Sequence, residues 1–191
     1  IQSVPNRDMW NAIDPNIIIG EDGTPWMSFG SFWDGIKMVK LTDDLMQVAQ
    51  PEEWHSLCSR PRSFGLDDKD PGDGAVEAPF IMKHGDYYYL FVSFDYCCRG
   101  KDSNYKVVVG RSKSVVGPYV DKEGKPMAKG GGTLVIEGNE AYAGIGHNAA
   151  YHLDGKDYFL CHAYSIAEDG APKLFIREMT WTSDGWPVVN Y

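Results

Sequence analysis

Clusters of basic residues are missing from this 191-residue chain, in which 27 Asp and Glu outweigh 18 Lys and Arg for a net charge of −9. Nucleic acids and anionic membranes attract concentrated positive charge, so both are poor partners here. No apolar run approaches the roughly 20 residues of a membrane-spanning helix. Helix signals are weak throughout. The chain starts at Ile1 with neither an initiator Met nor a signal-like segment, which suggests a processed or truncated product. Cysteine is scarce, at Cys58, Cys97, Cys98 and Cys161. The adjacent pair has neither metal-ligand nor redox CxxC spacing. Neighbouring strand residues point to opposite faces. Buried free thiols are therefore expected, and a disulfide framework is not.

Against these absences stands an abundance of apolar and aromatic residues, 43% and 13% of the chain. The chain is long enough and apolar enough to bury a core. Aromatic rings suit strands, and their faces also pack against the C–H faces of sugars. Short apolar runs bounded by Gly, Asp, Asn and Pro dominate, the pattern of an all-β protein.

One unit recurs three times. Asp14-Pro15-Asn16-Ile17-Ile18-Ile19 turns through Glu21-Asp22-Gly23 into Pro25-Trp26-Met27-Ser28-Phe29. Glu77-Ala78-Pro79-Phe80-Ile81-Met82 turns at His84-Gly85-Asp86 into Tyr87-Tyr88-Tyr89-Leu90-Phe91. Gly146-His147-Asn148-Ala149-Ala150-Tyr151 turns at Asp154-Gly155-Lys156 into Asp157-Tyr158-Phe159-Leu160. Third strands are expected at 35–41, 106–111 and 173–178, with a less obvious outer fourth in each unit. Asp14 lies 63 positions before Glu77, and Glu77 lies 70 before His147. Sheet-forming units at such intervals suggest propeller blades, here at about 11–58, 74–122 and 133–191. The polar stretch 59–73 and the Gly-rich stretches 129–132 and 138–144 lead into first strands, where loops shape clefts. Equivalent blade positions face one axis, so Asp14, Glu77 and His147 should meet there. A propeller closes with about four blades or more. The three seen here read as the C-terminal part of a larger one.

The ordered set of motifs resembles the five-bladed propeller arabinanases of glycoside hydrolase family 43. It comprises Trp10-Asn11-Ala12-Ile13-Asp14-Pro15-Asn16, Ser28-Phe29-Gly30-Ser31-Phe32-Trp33, Val76-Glu77-Ala78-Pro79-Phe80, Phe91-Val92-Ser93-Phe94-Asp95, Cys97-Cys98-Arg99-Gly100, Val109-Gly110-Arg111-Ser112, Gly146-His147-Asn148 and Asp184-Gly185-Trp186-Pro187. The resemblance spans nearly the whole chain and points to endo-acting α-1,5-arabinanases. It implies an inverting hydrolase in which Glu77 is the general acid and Asp14 tunes and orients it. It also implies a divalent cation, calcium, on the propeller axis, held largely through water by His147. The family's general base is an Asp on an N-terminal blade that these residues do not include.

Inverting cleavage needs one protonated and one ionised carboxyl group, roughly 6.5–9.5 Å apart, with a water between. Glu77 precedes Ala78-Pro79-Phe80, so desolvation and a nearby anion such as Asp14 should raise its pKa. Trp33 is a candidate to stack on a sugar and Ser31 to bond a hydroxyl. Asn11, Arg99 and Asn148 are further candidates for substrate contacts. His55, His84, His152 and His162 show no ligand spacing. The expected partners are arabinan or its oligosaccharides and the N-terminal blades of the same enzyme, and the expected location is secreted or at the cell envelope. The rivals are an exo-acting arabinofuranosidase or β-xylosidase on the same scaffold, and a sugar-binding propeller without catalysis.

Overall fold

A computed structural model describes residues 1–5, 7–63, 65 and 74–191. Among them are twelve strands and no α-helix. The strands form three antiparallel sheets of four, each an up-and-down meander. The first sheet holds β1 (Asn16–Ile19), β2 (Pro25–Phe29), β3 (Ile36–Lys40) and β4 (Trp54–Cys58). The second holds β5 (Val76–His84), β6 (Tyr87–Phe94), β7 (Lys106–Ser112) and β8 (Thr133–Ile136). The third holds β9 (Tyr142–Leu153), β10 (Lys156–Ser165), β11 (Ala171–Trp181) and β12 (Pro187–Val189). The weaker outer strand expected in each unit is present. Thr133–Ile136 differs from the sequence boundary: it pairs with β7 and completes the second sheet, so the third unit begins after it.

The sheets stack through their side chains. Strand β6 lies in the middle and is buried on both faces, so its alternation distributes residues between two cores. Tyr88, Leu90 and Val92 join Trp26, Ile36 and Met38 on the side of the first sheet. Tyr89 and Phe91 join Phe159, Phe175 and Met179 on the side of the third. Each large apolar side chain so buried contributes roughly 1.5–3 kcal/mol. The outer faces differ. On the first sheet Ile17 and Ile19 are exposed, and on the third Leu174 and Ile176 are exposed.

The cysteines divide. Cys58 and Cys161 are buried free thiols, as expected, and burial pushes both up to about 12. Cys97 and Cys98 instead form a disulfide, contrary to expectation. The alternation rule applies within strands, but β6 ends at Phe94 and this pair lies in the following loop. Cys98 there adopts a left-handed backbone with φ of 66°, which frees its side chain from the pleat. Its N–H donates to the Tyr164 hydroxyl of the third sheet at 2.8 Å.

The loops at this end of neighbouring sheets touch. A Cβ at Gly170 would come within 2.8 Å of the Gly100 Cα, so the β6–β7 and β10–β11 loops meet backbone to backbone. Lys101 and Asp169 pair across the same contact at 2.6 Å.

Candidate active site

At or just before each sheet's first strand stands one non-glycine residue in the left-handed region near the axis. Asp14 has φ of 54°, Ala78 52° and His147 53°. Two of these sit at β-bulges. Pairing jumps from Glu77↔Ser93 to Phe80↔Phe91, and from Gly146↔His162 to Ala149↔Leu160. A bulge re-aims side chains, and left-handed non-glycine residues cost about 1–3 kcal/mol each. The equivalent residues are therefore Asp14, Ala78 and His147, not Asp14, Glu77 and His147. Glu77 stands one place earlier, in register with Gly146. The three side chains nevertheless converge, because the Asp14 carboxylate reaches across to β5.

Asp14 Oδ2 accepts the Ala78 N–H at 3.1 Å, beside Glu77. Its Oδ1 lies 3.9 Å from His147 Nε2. Asp14 and His147, with Pro15, Ala78, Phe80 and Asn148, line an axial cavity of about 320 Å³. Asn148 is 6% exposed, and neither its amide oxygen nor its amide nitrogen has a partner.

Glu77 is partly buried between the second and third sheets. Desolvation raises its pKa most; the Asp14 charge adds to the rise, while the Tyr105 hydrogen bond and His147 oppose it. The Tyr105 hydroxyl donates to Glu77 Oε1 at 2.5 Å. Tyr105 is fully buried and fits only because residue 146 is glycine; a Cβ there would lie 2.2 Å from the phenol ring. Ser93, opposite Glu77 in register, accepts the His147 N–H at 2.9 Å.

The proposed substrate-binding residues lie mostly at the same end. Asn11 Nδ2 donates to Ser31 Oγ at 2.8 Å, and Ser31 is almost fully buried, so these two serve each other. Trp33 follows Phe32 in the β2–β3 loop, both left-handed, and the Phe32 N–H bonds Val76 O at 2.7 Å. Phe32 stacks on Tyr96 at 6.4 Å, and the exposed Arg99 guanidinium lies 4.1 Å over the Tyr96 ring. Trp33 and Arg99 thus flank an aromatic group next to the start of β5. Sequence reasoning missed Tyr105, Ser93, Phe32 and Tyr96. Ser93 left a signal, the one Ser in the aromatic and apolar run of β6. Tyr105 left none beyond standing one residue before a strand.

Among the described residues no three His, Cys, Asp or Glu side chains group to hold a metal ion. The cavity offers one imidazole, the orphaned Asn148 amide and Asp14 Oδ1, the other Asp14 oxygen being engaged by Ala78. That donor set fits a cation that keeps most of its waters and does not fit a closed protein cage.

A model of the glycosyl hydrolases of family 43 matches residues 2–187. The chain belongs to that family. This family 43 chain is 55% identical over 190 residues to the extracellular exo-α-(1→5)-L-arabinofuranosidase of Cellvibrio japonicus, matching 100% of its own length and 55% of the relative's. It is 43% identical over 178 residues to extracellular endo-α-(1→5)-L-arabinanase 1 of Bacillus subtilis, matching 93% of its own length and 50% of the relative's. Its fold is similar to that of a Cellvibrio cellulosa α-L-arabinanase solved in complex with arabinohexaose, with a TM-score of 0.95 and 54% identity. That match covers 100% of this chain and 60% of the other. The family 43 chain thus spans about half the length of the curated relatives it matches.

Proposed function

We propose that this chain is part of an inverting hydrolase of α-1,5-linked L-arabinan, with Glu77 as its general acid. The observation that carries the reading is the half-buried Glu77, its pKa raised by desolvation, beside an axial cavity bearing Asp14 and His147. A raised pKa keeps the carboxyl protonated nearer neutral pH, so that it can protonate the leaving oxygen. Asp14 helps hold it in that state and braces the adjoining backbone through Ala78. The second carboxylate, which activates water, comes from N-terminal blades of the same enzyme. Those blades also complete a five-bladed ring. Trp33, Arg99 and Asn148 contact the sugar chain, while Asn11 holds Ser31 in the adjacent loop. Beside His147 the axis holds a divalent cation, calcium, mostly through water; elemental analysis of the purified full-length protein tests this. The enzyme is secreted, in keeping with relatives named as extracellular and with the Cys97–Cys98 disulfide, which persists in oxidising compartments.

The sequence motifs favour cleavage within the chain. Chain-end cleavage is the second reading, supported by the higher identity to the exo-acting relative, 55% against 43%. One experiment addresses both points. Wild-type and Glu77→Gln forms of the full-length protein are given linear arabinan, and products are followed from the earliest time. A broad ladder indicates endo action, and one short product from the outset indicates exo action. The Gln variant should lose at least ~100-fold in rate, in the usual range for a general acid, and recover in part on an activated aryl leaving group. Cleavage of polymer within a few-fold of wild type would overturn the assignment of Glu77.

A further inference from the structure

We propose that Tyr105 is a positioning residue for Glu77: it takes up one carboxyl oxygen and so dictates that the other carries the transferred proton. The inference rests on the reading of Glu77 as the acid.

The geometry leaves Tyr105 little freedom. Its ring is fully buried and packed over Gly146, and its hydroxyl donates to Glu77 Oε1. Burial first, and then the neighbouring Glu77 charge, push the phenol well above its ordinary pKa, so it stays protonated and cannot compete as a base. A phenol has one proton, and Tyr105 gives it to Glu77. Ser93 lies beside the same phenol and favours its ionised form, while its oxygen accepts the His147 N–H. With Oε1 held, the proton of the neutral acid resides on Oε2.

The same hydrogen bond acts during the reaction. As Glu77 gives its proton to the leaving oxygen, negative charge grows on the carboxylate. A phenol aimed at Oε1 beforehand stabilises that charge without reorganising. The groups bearing on Glu77's ionisation are Tyr105, Asp14 and His147. Tyr105 donates to the charged form and lowers Glu77's pKa, whereas Asp14 repels that form and raises it.

The test is Tyr105→Phe in the full-length protein, assayed on linear arabinan and on an activated aryl arabinofuranoside. The expected result on polymer is a fall in kcat of about 10-fold or more with KM within about 2-fold, the pattern of an interaction made in the transition state. The loss should be smaller on the activated substrate, which needs less protonation. The limb governed by loss of Glu77's proton should move to higher pH, since the group that favoured the carboxylate is gone. If Tyr105→Phe misfolds by near-ultraviolet dichroism, Ser93→Ala is the second variant. It keeps the phenol but removes the hydroxyl beside it, and the same three changes are expected in smaller measure. Unchanged kcat and pH profile in a folded variant, with Glu77→Gln inactive, overturn the role of Tyr105 alone. Full activity of Glu77→Gln overturns both this inference and the acid assignment beneath it.

Discussion

A single charge distinguishes what Asp14 and Tyr105 do to Glu77, and the two act in opposite directions. Asp14→Asn removes the negative neighbour, yet its side-chain oxygen can still accept the Ala78 N–H. The substitution therefore isolates the electrostatic contribution. Asp14 raises the pKa of Glu77, so its loss should lower that pKa and move the alkaline limb of the full-length enzyme to lower pH. Activity at neutral pH should suffer more than activity at acid pH; an unmoved limb with full activity would show that Asp14 only caps its turn. The position of Asp14 beside the axial cavity was legible because it begins a repeated unit. Glu77 was legible for the same reason, although it lies one residue off the true equivalence. The repeat is visible as composition, but the bulges that set register are backbone events without a residue signature of their own. Ala78 and His147 share a conformation and no chemistry. Tyr105 was invisible because its partner is 28 residues away and only packing brings them together.

At the scale of elements, the sequence marks strands better than the segments between them. Inner strands announce themselves by apolar runs, whereas β8, with only four residues, follows a Gly-rich stretch and reads as the start of the next unit. The loops are fixed by polar pairs that have no period. Asp95, just past β6, is one such anchor. It accepts Arg60 at 2.6 Å, from the connection after β4, and Lys106 at 2.9 Å, from the start of β7. Burial alone would raise its pKa, but the hydrogen bonds and charges of Arg60 and Lys106 outweigh that and hold it below the usual carboxylate range. A depressed folded-state pKa stabilises above the unfolded value, and the benefit is lost as pH falls through the folded one. Asp95→Asn should therefore destabilise the protein at neutral pH by about 1.5–3 kcal/mol, the range for hydrogen bonds to charged groups. The gap from wild type should shrink as pH drops below the ordinary Asp range. Urea midpoints measured at several pH values check this, and a gap constant with pH would remove Asp95 from the anchoring of these loops.

At the scale of the molecule, the two end sheets present outer faces on which no other described sheet stacks, although Trp10 and Val48 cover Phe29, Val39 and Leu41 on the first. The middle sheet is covered on both sides, while Ile17 and Ile19 on β1 and Leu174 and Ile176 on β11 are open. Isolated apolar residues on a surface need no explanation, but two sheet faces at opposite ends of one stack do. In the arrangement proposed above, the N-terminal blades pack on both and close the ring. Ile176→Lys separates that reading from an open stack. In the isolated 191-residue chain the new ammonium meets water, so stability should hardly change and solubility should rise. In the full-length protein the same ammonium would be buried without a partner, and the expected loss is about 3–5 kcal/mol, the usual cost of an uncompensated buried charge. Denaturant melts of both forms, with and without the substitution, give the comparison. Equal small effects in the two would mean that β11 faces solvent in the whole protein, and that the ring closes elsewhere or stays open. A large loss in the full-length form alone would place the missing blades against β11. It would also fit the proposal that those blades supply the carboxylate that activates water.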